Sequence, residues 1–371
     1  MACRAILRGC RQTKMTTANA AGRQWANLLK YTTETLPPIR QGDARLAWPD
    51  IAKGASIVMV VYWHMVDDVL KLNEALTLLR MPLFFFVAGL FIRSTFARGN
   101  ERVFVHRVLN FAWLYLVWAC IMFVMLVLPY NLFMGNDWYW SYPSFQTLIV
   151  EPPPTLWFIY ALCLAVIITM AMRKIPLWIL LAVAIGGYLW SATDQNLRDP
   201  DFYTRMVRLY PFFLIGLVSL NLLDALGQKL RAVAPFLLPG FCLLAYAVYF
   251  SGFRDVSWLT LLVSLFGVIS LIATAQWLQD TPIGSGLAWI GAASLHIYLL
   301  HRFFWAYLGL PLMELGKYLH SEVFTVTAMS MLAGLAIVAS GWAGPRMARH
   351  PRLAFLFAMP KGLLAVTRKA V

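Results

Sequence analysis

The feature that most constrains this chain is a series of long apolar runs separated by short polar breaks. A lipid bilayer has a hydrocarbon core about 30 Å thick, which a helix of about 20 residues can cross. Runs of this order recur ten times, at residues 51–67, 76–95, 105–128, 155–171, 176–191, 204–222, 234–251, 256–277, 286–308 and 323–343. The sequence therefore predicts an all-α membrane protein, a polytopic bundle of about ten transmembrane helices.

Composition supports the same fold class. Hydrophobic residues make up 60% of the 371 residues and charged residues only 13%, against roughly 25% charged in a soluble domain. The net charge of +14 would suit a nucleic-acid partner, but the basic residues lie in short loops and tails between the apolar runs. Membrane proteins show this distribution in their cytoplasmic loops. We therefore expect membrane lipids, and no nucleic acid, as partners.

The loop charges also predict an orientation. Loops on one side of the predicted membrane are basic, whereas those on the other side are acidic or aromatic. With an even number of spans, both termini are then cytoplasmic. We divide the chain into a basic and disordered tail at 1–45, a transmembrane domain at 46–345 and a basic cytoplasmic tail at 346–371. Translation can start at Met1 or at Met15.

Two ionisable residues lie in the first apolar run, where a charge facing lipid costs several kcal/mol and so marks a candidate site. Lys53 and His64 are eleven residues apart, which places them on one helix face and ~16 Å apart along the axis. Asp67 and Asp68 follow close enough to orient the imidazole. His64 is therefore a candidate general base. The alternative is that Lys53 extends to headgroups and His64 only packs between helices.

The second run begins with Arg80, near the predicted level of His64. A guanidinium there can hold an anionic or hydroxyl-bearing ligand, or it can contact a lipid headgroup. Gly89 in the same run is predicted to be a point of close approach between helices.

A further polar stripe lies in the ninth run. Ser294, Tyr298 and His301 have the spacing of one helix face, and His301 lies at a depth similar to that of His64. The two histidines can share the roles of base and oxyanion stabiliser around a hydroxyl acceptor. A purely structural tyrosine–histidine network is the competing interpretation.

Four stretches of this sequence together resemble the membrane acyltransferase-3 family. They are Lys53-x10-His64 preceded by Asp50, RMPLFFFVAGLF at 80–91, TLWFIYAL at 155–162 and SLHIYLLH at 294–301. The resemblance extends over about residues 43–345. Members include bacterial O-acetylases of surface polysaccharides, peptidoglycan and Nod factors, and succinylating enzymes of periplasmic glucans. It implies a multi-pass protein of the bacterial inner membrane.

The resemblance also implies an activity. The expected enzyme is an O-acyltransferase that moves an acyl group, with acetyl the favoured one, from cytoplasmic acetyl-CoA or another acyl-CoA to a hydroxyl of a cell-envelope carbohydrate. No permanently bound cofactor is expected, and the unpaired spacing of the cysteines indicates no metal site. The family histidine, here His64, is implicated in transfer, and its basic partner, here Lys53, in handling the donor. The family's arginine-rich segment is degenerate here, and two of the basic residues that are present in it, Arg102 and Arg107, are assigned to binding the donor.

The remaining assignments complete the predicted site. Arg80 or His301 stabilises the oxyanion, and Tyr298 orients His301. Four residues are assigned to the acceptor: Glu151, Trp157, Arg205 and Arg208. The alternative function is a secondary transporter or flippase of a small anionic or glycan substrate, although no internal repeat is evident. The sequence leaves the acceptor sugar, the acyl chain, direct transfer or an acyl-enzyme, and the oligomeric state undetermined.

Overall fold

The computed structural model describes residues 47–66, 75–96, 103–129, 152–153, 155–191 and 201–363, together with Thr32. The described residues form helices and no sheet. The α-helices are α1 (Trp48–Val66), α2 (Thr77–Phe96), α3 (Leu109–Met122), α4 (Trp157–Ala171), α5 (Leu177–Ser191), α6 (Phe202–Phe250), α7 (Ser257–Leu278), α8 (Pro282–Ala292), α9 (Ser294–Phe304), α10 (Leu310–Tyr318) and α11 (Glu322–Arg349). Turns of π-helix flank α3, at Phe104–Val108 and Phe123–Val127, and join α9 to α10 at Trp305–Gly309.

Five helical segments of the described chain are long and apolar enough to cross a membrane: Thr77–Phe96, Val105–Val127, Lys229–Phe250, Ser257–Leu278 and Glu322–Arg349. A sixth candidate is the pair Pro282–Ala292 and Ser294–Tyr318, which is bent by 78°. The helices α4 and α5 are apolar but shorter. The all-helical fold class is thus confirmed, whereas the number of ten spans and the cytoplasmic position of both termini remain predictions.

Helix α6 differs from the sequence-based expectation, because it joins the predicted spans 204–222 and 234–251 without a loop. The intervening residues are mostly good helix formers such as leucine, alanine, glutamine, lysine and arginine. The polar residues among them lower the hydropathy of the segment, which predicts a loop between two spans. Glutamine, lysine and arginine nevertheless continue a helix readily. The break predicted at 223–233 between two spans is therefore helical in the structure, and Lys229–Phe250 is still a candidate span of its own.

The two arms of α6 nevertheless fold back on each other. A straight helix would separate Arg208 from Phe250 by about 63 Å. Arg208 Nη2, however, donates to the carbonyl of Ser191 at 2.9 Å, and Ser257, just beyond Phe250, donates to the carbonyl of Leu189 at 3.3 Å. Both ends of α6 thus lie beside the last turn of α5.

The bend of α6 lies near residues 223–231. Gln276 at the end of α7 donates to the carbonyl of Leu223 at 3.5 Å, and Arg231 forms an ion pair with Asp280 at 2.7 Å. The candidate membrane-crossing segment of the second arm begins at Lys229, so the two arms meet near these contacts at the end of α7. The arms therefore occupy two bundle positions, as two separate spans would.

Glycines allow helix backbones to touch at two crossings. A Cβ at Gly291 of α8 would lie 1.8 Å from the carbonyl oxygen of Asp50 on α1. A Cβ at Gly89 of α2 would lie 2.1 Å from the carbonyl oxygen of Phe213 on α6, which confirms the predicted close approach at Gly89. Such contacts are common where helices associate within a membrane.

Buried apolar side chains form two clusters. The first centres on α2, α5, α6 and α7, and the second joins α1, α3, α9 and α11. The chain beyond α11 covers part of the second cluster: Trp113 and Trp118 donate to the carbonyls of Phe355 and Leu356 at 2.7 and 2.6 Å. The predicted domain boundary at residue 345 falls inside α11, and residues 355–359 lie against α3.

Candidate functional site

The structure brings the two predicted histidines together. His64 lies in the last turn of α1 and His301 in the last turn of α9, and their ring centroids are 5.2 Å apart with a tilt of 31°. The backbone contact at Gly291 places α8 against α1, and the bend after α8 then directs α9 past His64. His301 is buried at 1% exposure, while His64 is partly exposed. The pairing predicted from similar depths is therefore present.

Each histidine has its Nδ1 engaged, with a different kind of partner. Arg302 Nη1 lies 3.3 Å from His64 Nδ1, so a guanidinium faces this ring. His301 Nδ1 lies 2.8 Å from the carbonyl oxygen of Tyr298 and 3.1 Å from that of Ile297. His301 Nε2 is buried and has no hydrogen-bond partner among the described residues. The two rings are thus held in distinct electrostatic settings.

Arg80 lies on the other side of His64. Its guanidinium is 4.4 Å from the ring centroid of Trp63, and the Trp63 ring is 4.4 Å from that of His64. The carbonyl of Arg80 accepts a hydrogen bond from Ser56 at 2.9 Å, which ties α2 to α1. Arg80 and Arg302 together place two cations beside the imidazole pair.

Tyr298 contacts His301 through its backbone carbonyl. Its hydroxyl donates to the carbonyl of Thr155 at 2.6 Å, and its ring packs against Phe158 at 5.7 Å. Phe158 in turn contacts Phe84 of α2 at 5.2 Å. Three of the motifs noted in the sequence therefore converge behind the histidines.

A second group of cations lies near the opposite end of α2. Lys53 forms an ion pair with Asp50 at 2.6 Å and lies 4.5 Å from the ring centroid of Phe91. Arg107 donates to the hydroxyl of Thr95 at 3.4 Å. Lys53 and Arg107, which are predicted to bind the acyl donor, thus both contact the last turns of α2.

The predicted site omitted Arg93, which lies in the same turns of α2. Arg93 is 1% exposed, and its Nε and Nη1 have no hydrogen-bond partner among the described residues. It also left Arg302 without a role. Both are charges inside apolar runs, and that rule alone would have identified them.

The other predicted residues lie on α4 and α6 or outside the described chain. Trp157 packs against Phe158 and the first apolar cluster. Arg208 is bonded to Ser191, and Arg205 is partly buried on α6. Outside the described residues lie Asp67, Asp68, Arg102 and Glu151. Within the described chain, no group of three or more histidine, cysteine, aspartate or glutamate residues is placed to hold a metal ion.

Comparison with known proteins decides the family. The acyltransferase-3 family model, described as an acyltransferase domain, matches residues 46–343, well over half of the chain. This protein belongs to the acyltransferase-3 family. It is accordingly an acyltransferase of the class that transfers groups other than aminoacyl groups. Neither the curated proteins nor the solved structures contain a match. The paired histidines and the buried Arg93 both lie within the acyltransferase-3 match.

Proposed function

We propose that this acyltransferase moves an acyl group, with acetyl the first candidate, from cytoplasmic acyl-CoA to a hydroxyl of a cell-envelope carbohydrate in the bacterial inner membrane. The observation that carries the proposal is the contact between His64 and His301, flanked by Arg302 and Arg80. Acyl transfer to a hydroxyl needs a proton acceptor for the attacking oxygen and donors for the developing oxyanion. Imidazoles and guanidinium groups at one point supply both.

The cations along the far part of α2 suit an anionic donor. Among the described residues, Arg93 Nε and Nη1 have no hydrogen-bond partner. Burying a guanidinium without a counter-ion costs several kcal/mol, so Arg93 favours a bound anion as its partner. Lys53 and Arg107 contact Phe91 and Thr95 in the same turns, and the several phosphates of CoA can accept charge-assisted hydrogen bonds from these cations. Phosphates of CoA are the proposed ligand.

The spacing of Lys53 and His64 along α1 fits a site with the CoA phosphates at one end and the reacting groups at the other. Lys53 and His64 are separated by ~16 Å along the helix axis, which is comparable to the reach of a pantetheine arm. CoA with its phosphates near Lys53 and Arg93 would place its thioester near His64. The acceptor then approaches from the other side of the membrane, where Trp157, Arg205 and Glu151 are its proposed contacts.

The alternative, a transporter or flippase, is not favoured, since the family match is to an acyltransferase domain. A bound acyl donor and a bound glycan would both be needed by the proposed enzyme, whereas a transporter needs only its cargo. No resident cofactor is proposed.

The test is a transfer assay on the purified protein in lipid nanodiscs. Acetyl-CoA and succinyl-CoA are offered with a panel of envelope glycans, and ester formation is followed by mass spectrometry, with the His64→Ala/His301→Ala double variant as control. We expect an ester with at least one donor and acceptor, and none with the double variant. Proteoliposomes that carry an anion or glycan across the bilayer, with no ester formed from any donor, would overturn the proposal.

A further inference from the structure

The neighbours of the two histidines favour protons on opposite ring nitrogens when both rings are neutral. Arginine only donates hydrogen bonds, so the Arg302 guanidinium 3.3 Å from His64 Nδ1 requires a lone pair on that nitrogen. A neutral His64 then bears its proton on Nε2. Carbonyl oxygens only accept, so the Tyr298 and Ile297 oxygens beside His301 Nδ1 require a proton on that nitrogen. A neutral His301 then has its lone pair on Nε2.

From this geometry we propose that His301 is the general base and that His64 is a hydrogen-bond donor to the oxyanion. Arg302 is a positioning residue that sets the tautomer of His64. The assignment rests on the proposed acyl transfer and reverses the roles expected from the sequence, in which His64 is the candidate base and His301 a candidate oxyanion stabiliser. His301 Nε2 supports it, since this buried nitrogen has no partner among the described residues and an unpaired buried acceptor costs about 1–3 kcal/mol unless a ligand group satisfies it.

The resulting step balances. The acceptor hydroxyl gives its proton to His301 Nε2 as its oxygen forms a bond to the thioester carbonyl carbon. The π electrons of the thioester carbonyl move to the carbonyl oxygen, and this oxyanion accepts a hydrogen bond from His64 Nε2–H. As the tetrahedral intermediate collapses, the carbon–sulfur bond breaks and the departing sulfur takes up the proton from the His301 imidazolium. The products are an ester and a free thiol, with both histidines neutral again.

Glutamine substitutions separate the two roles. A glutamine at 64 retains an N–H donor, whereas a glutamine at 301 cannot accept and release a proton. We expect His301→Gln to lose about 10²–10⁴ in kcat. We expect His64→Gln to lose less than about tenfold, and His64→Ala to lose about 10²–10³, the usual effect of removing one oxyanion donor. His296→Gln is the matched control on the same helix, where the ring packs against Phe357, and its activity should equal that of wild type.

A spectroscopic measurement tests the tautomers without any acyl transfer. Solid-state NMR of protein labelled with 15N-histidine should show His64 protonated at Nε2 and His301 at Nδ1, with the signals assigned from the glutamine variants. Arg302→Gln should give His64 a mixture of tautomers and leave His301 unchanged, because an amide can either donate or accept. A purely structural role for Arg302 would not move the tautomer.

The outcomes separate the two proposals. A wild type that forms no ester with any donor overturns the proposed function. A wild type that forms ester, together with an active His301→Gln or with His64 protonated at Nδ1, overturns the assignment of base and donor.

Discussion

The hydroxyl of Tyr298 donates to the carbonyl of Thr155 at 2.6 Å, and the carbonyl of Tyr298 faces His301 Nδ1 at 2.8 Å. One residue therefore anchors α9 to the segment before α4 with its side chain and orients the candidate base with its backbone. Removal of the hydroxyl affects only the first of these contacts.

We therefore expect Tyr298→Phe to lower stability by about 1 kcal/mol, the usual worth of a neutral buried hydrogen bond, while kcat stays within about tenfold of wild type because the carbonyl remains. Thermal unfolding in detergent and the transfer assay measure the two effects. Tyr210→Phe, which loses a hydroxyl contact with Thr169 at 2.9 Å, is the control for stability alone. A loss of kcat as large as that of His301→Gln would show that the Tyr298 hydroxyl itself takes part in the reaction.

Arg93 is expected to lower the stability of the protein without CoA and to strengthen the binding of CoA. Replacing a buried charge by an apolar side chain of similar volume is often neutral or stabilising, so Arg93→Met should unfold at the same or a higher temperature when no donor is present. Its dissociation constant for CoA should rise by about tenfold or more, since a charge-assisted hydrogen bond is worth about 1.5–3 kcal/mol. Calorimetry on wild type and Arg93→Met measures the change. The dissociation constant of Arg93→Lys should lie between those of the other two proteins. Unchanged CoA affinity in Arg93→Met would remove Arg93 from the donor site.

Glycines on α8 provide a matched pair of substitutions. A Cβ at Gly291 would lie 1.8 Å from a backbone oxygen of α1, whereas a Cβ at Gly286 meets nothing within 4 Å. Gly291→Ala should destabilise by about 1–3 kcal/mol, because two backbones must separate. Gly286→Ala should stabilise by up to about 1 kcal/mol, the helix preference of alanine over glycine. Thermal unfolding of both variants is the measurement, and equal effects would show that α1 and α8 are not in backbone contact.

The predicted orientation of the chain needs a test in whole cells. The loop around Asn136 contains acidic and aromatic residues, whereas basic residues follow Gly99, so the positive-inside rule places the first outside and the second in the cytoplasm. In a variant lacking the five native cysteines, a membrane-impermeant maleimide should label a cysteine at 136 and not one at 99. Labelling in the reverse order would invert the topology and with it the sides assigned to donor and acceptor.

Sequence alone determined the fold class, because a run of apolar residues has few stable arrangements other than a helix in lipid. It also identified the family from stretches that hold Lys53, Arg80, Tyr298 and His301. The close approach at Gly89 followed from residue type, since only a residue without a side chain lets backbones touch at that distance. These are local properties, which the order of residues records directly.

The tertiary structure decided which distant charges and rings meet. His64 and Arg302 are 238 residues apart, and their contact depends on the bend between α8 and α9 and on the backbone crossing at Gly291. The burial of Arg93 and the bonding of Arg208 to Ser191 likewise depend on how neighbouring helices pack. Helical periodicity fixes which residues share a face, but it carries no information on which face another helix will cover. The assignment of protons to the two imidazoles therefore had to come from their neighbours in space, because the tautomer of a histidine is set by the hydrogen bond that its other nitrogen makes.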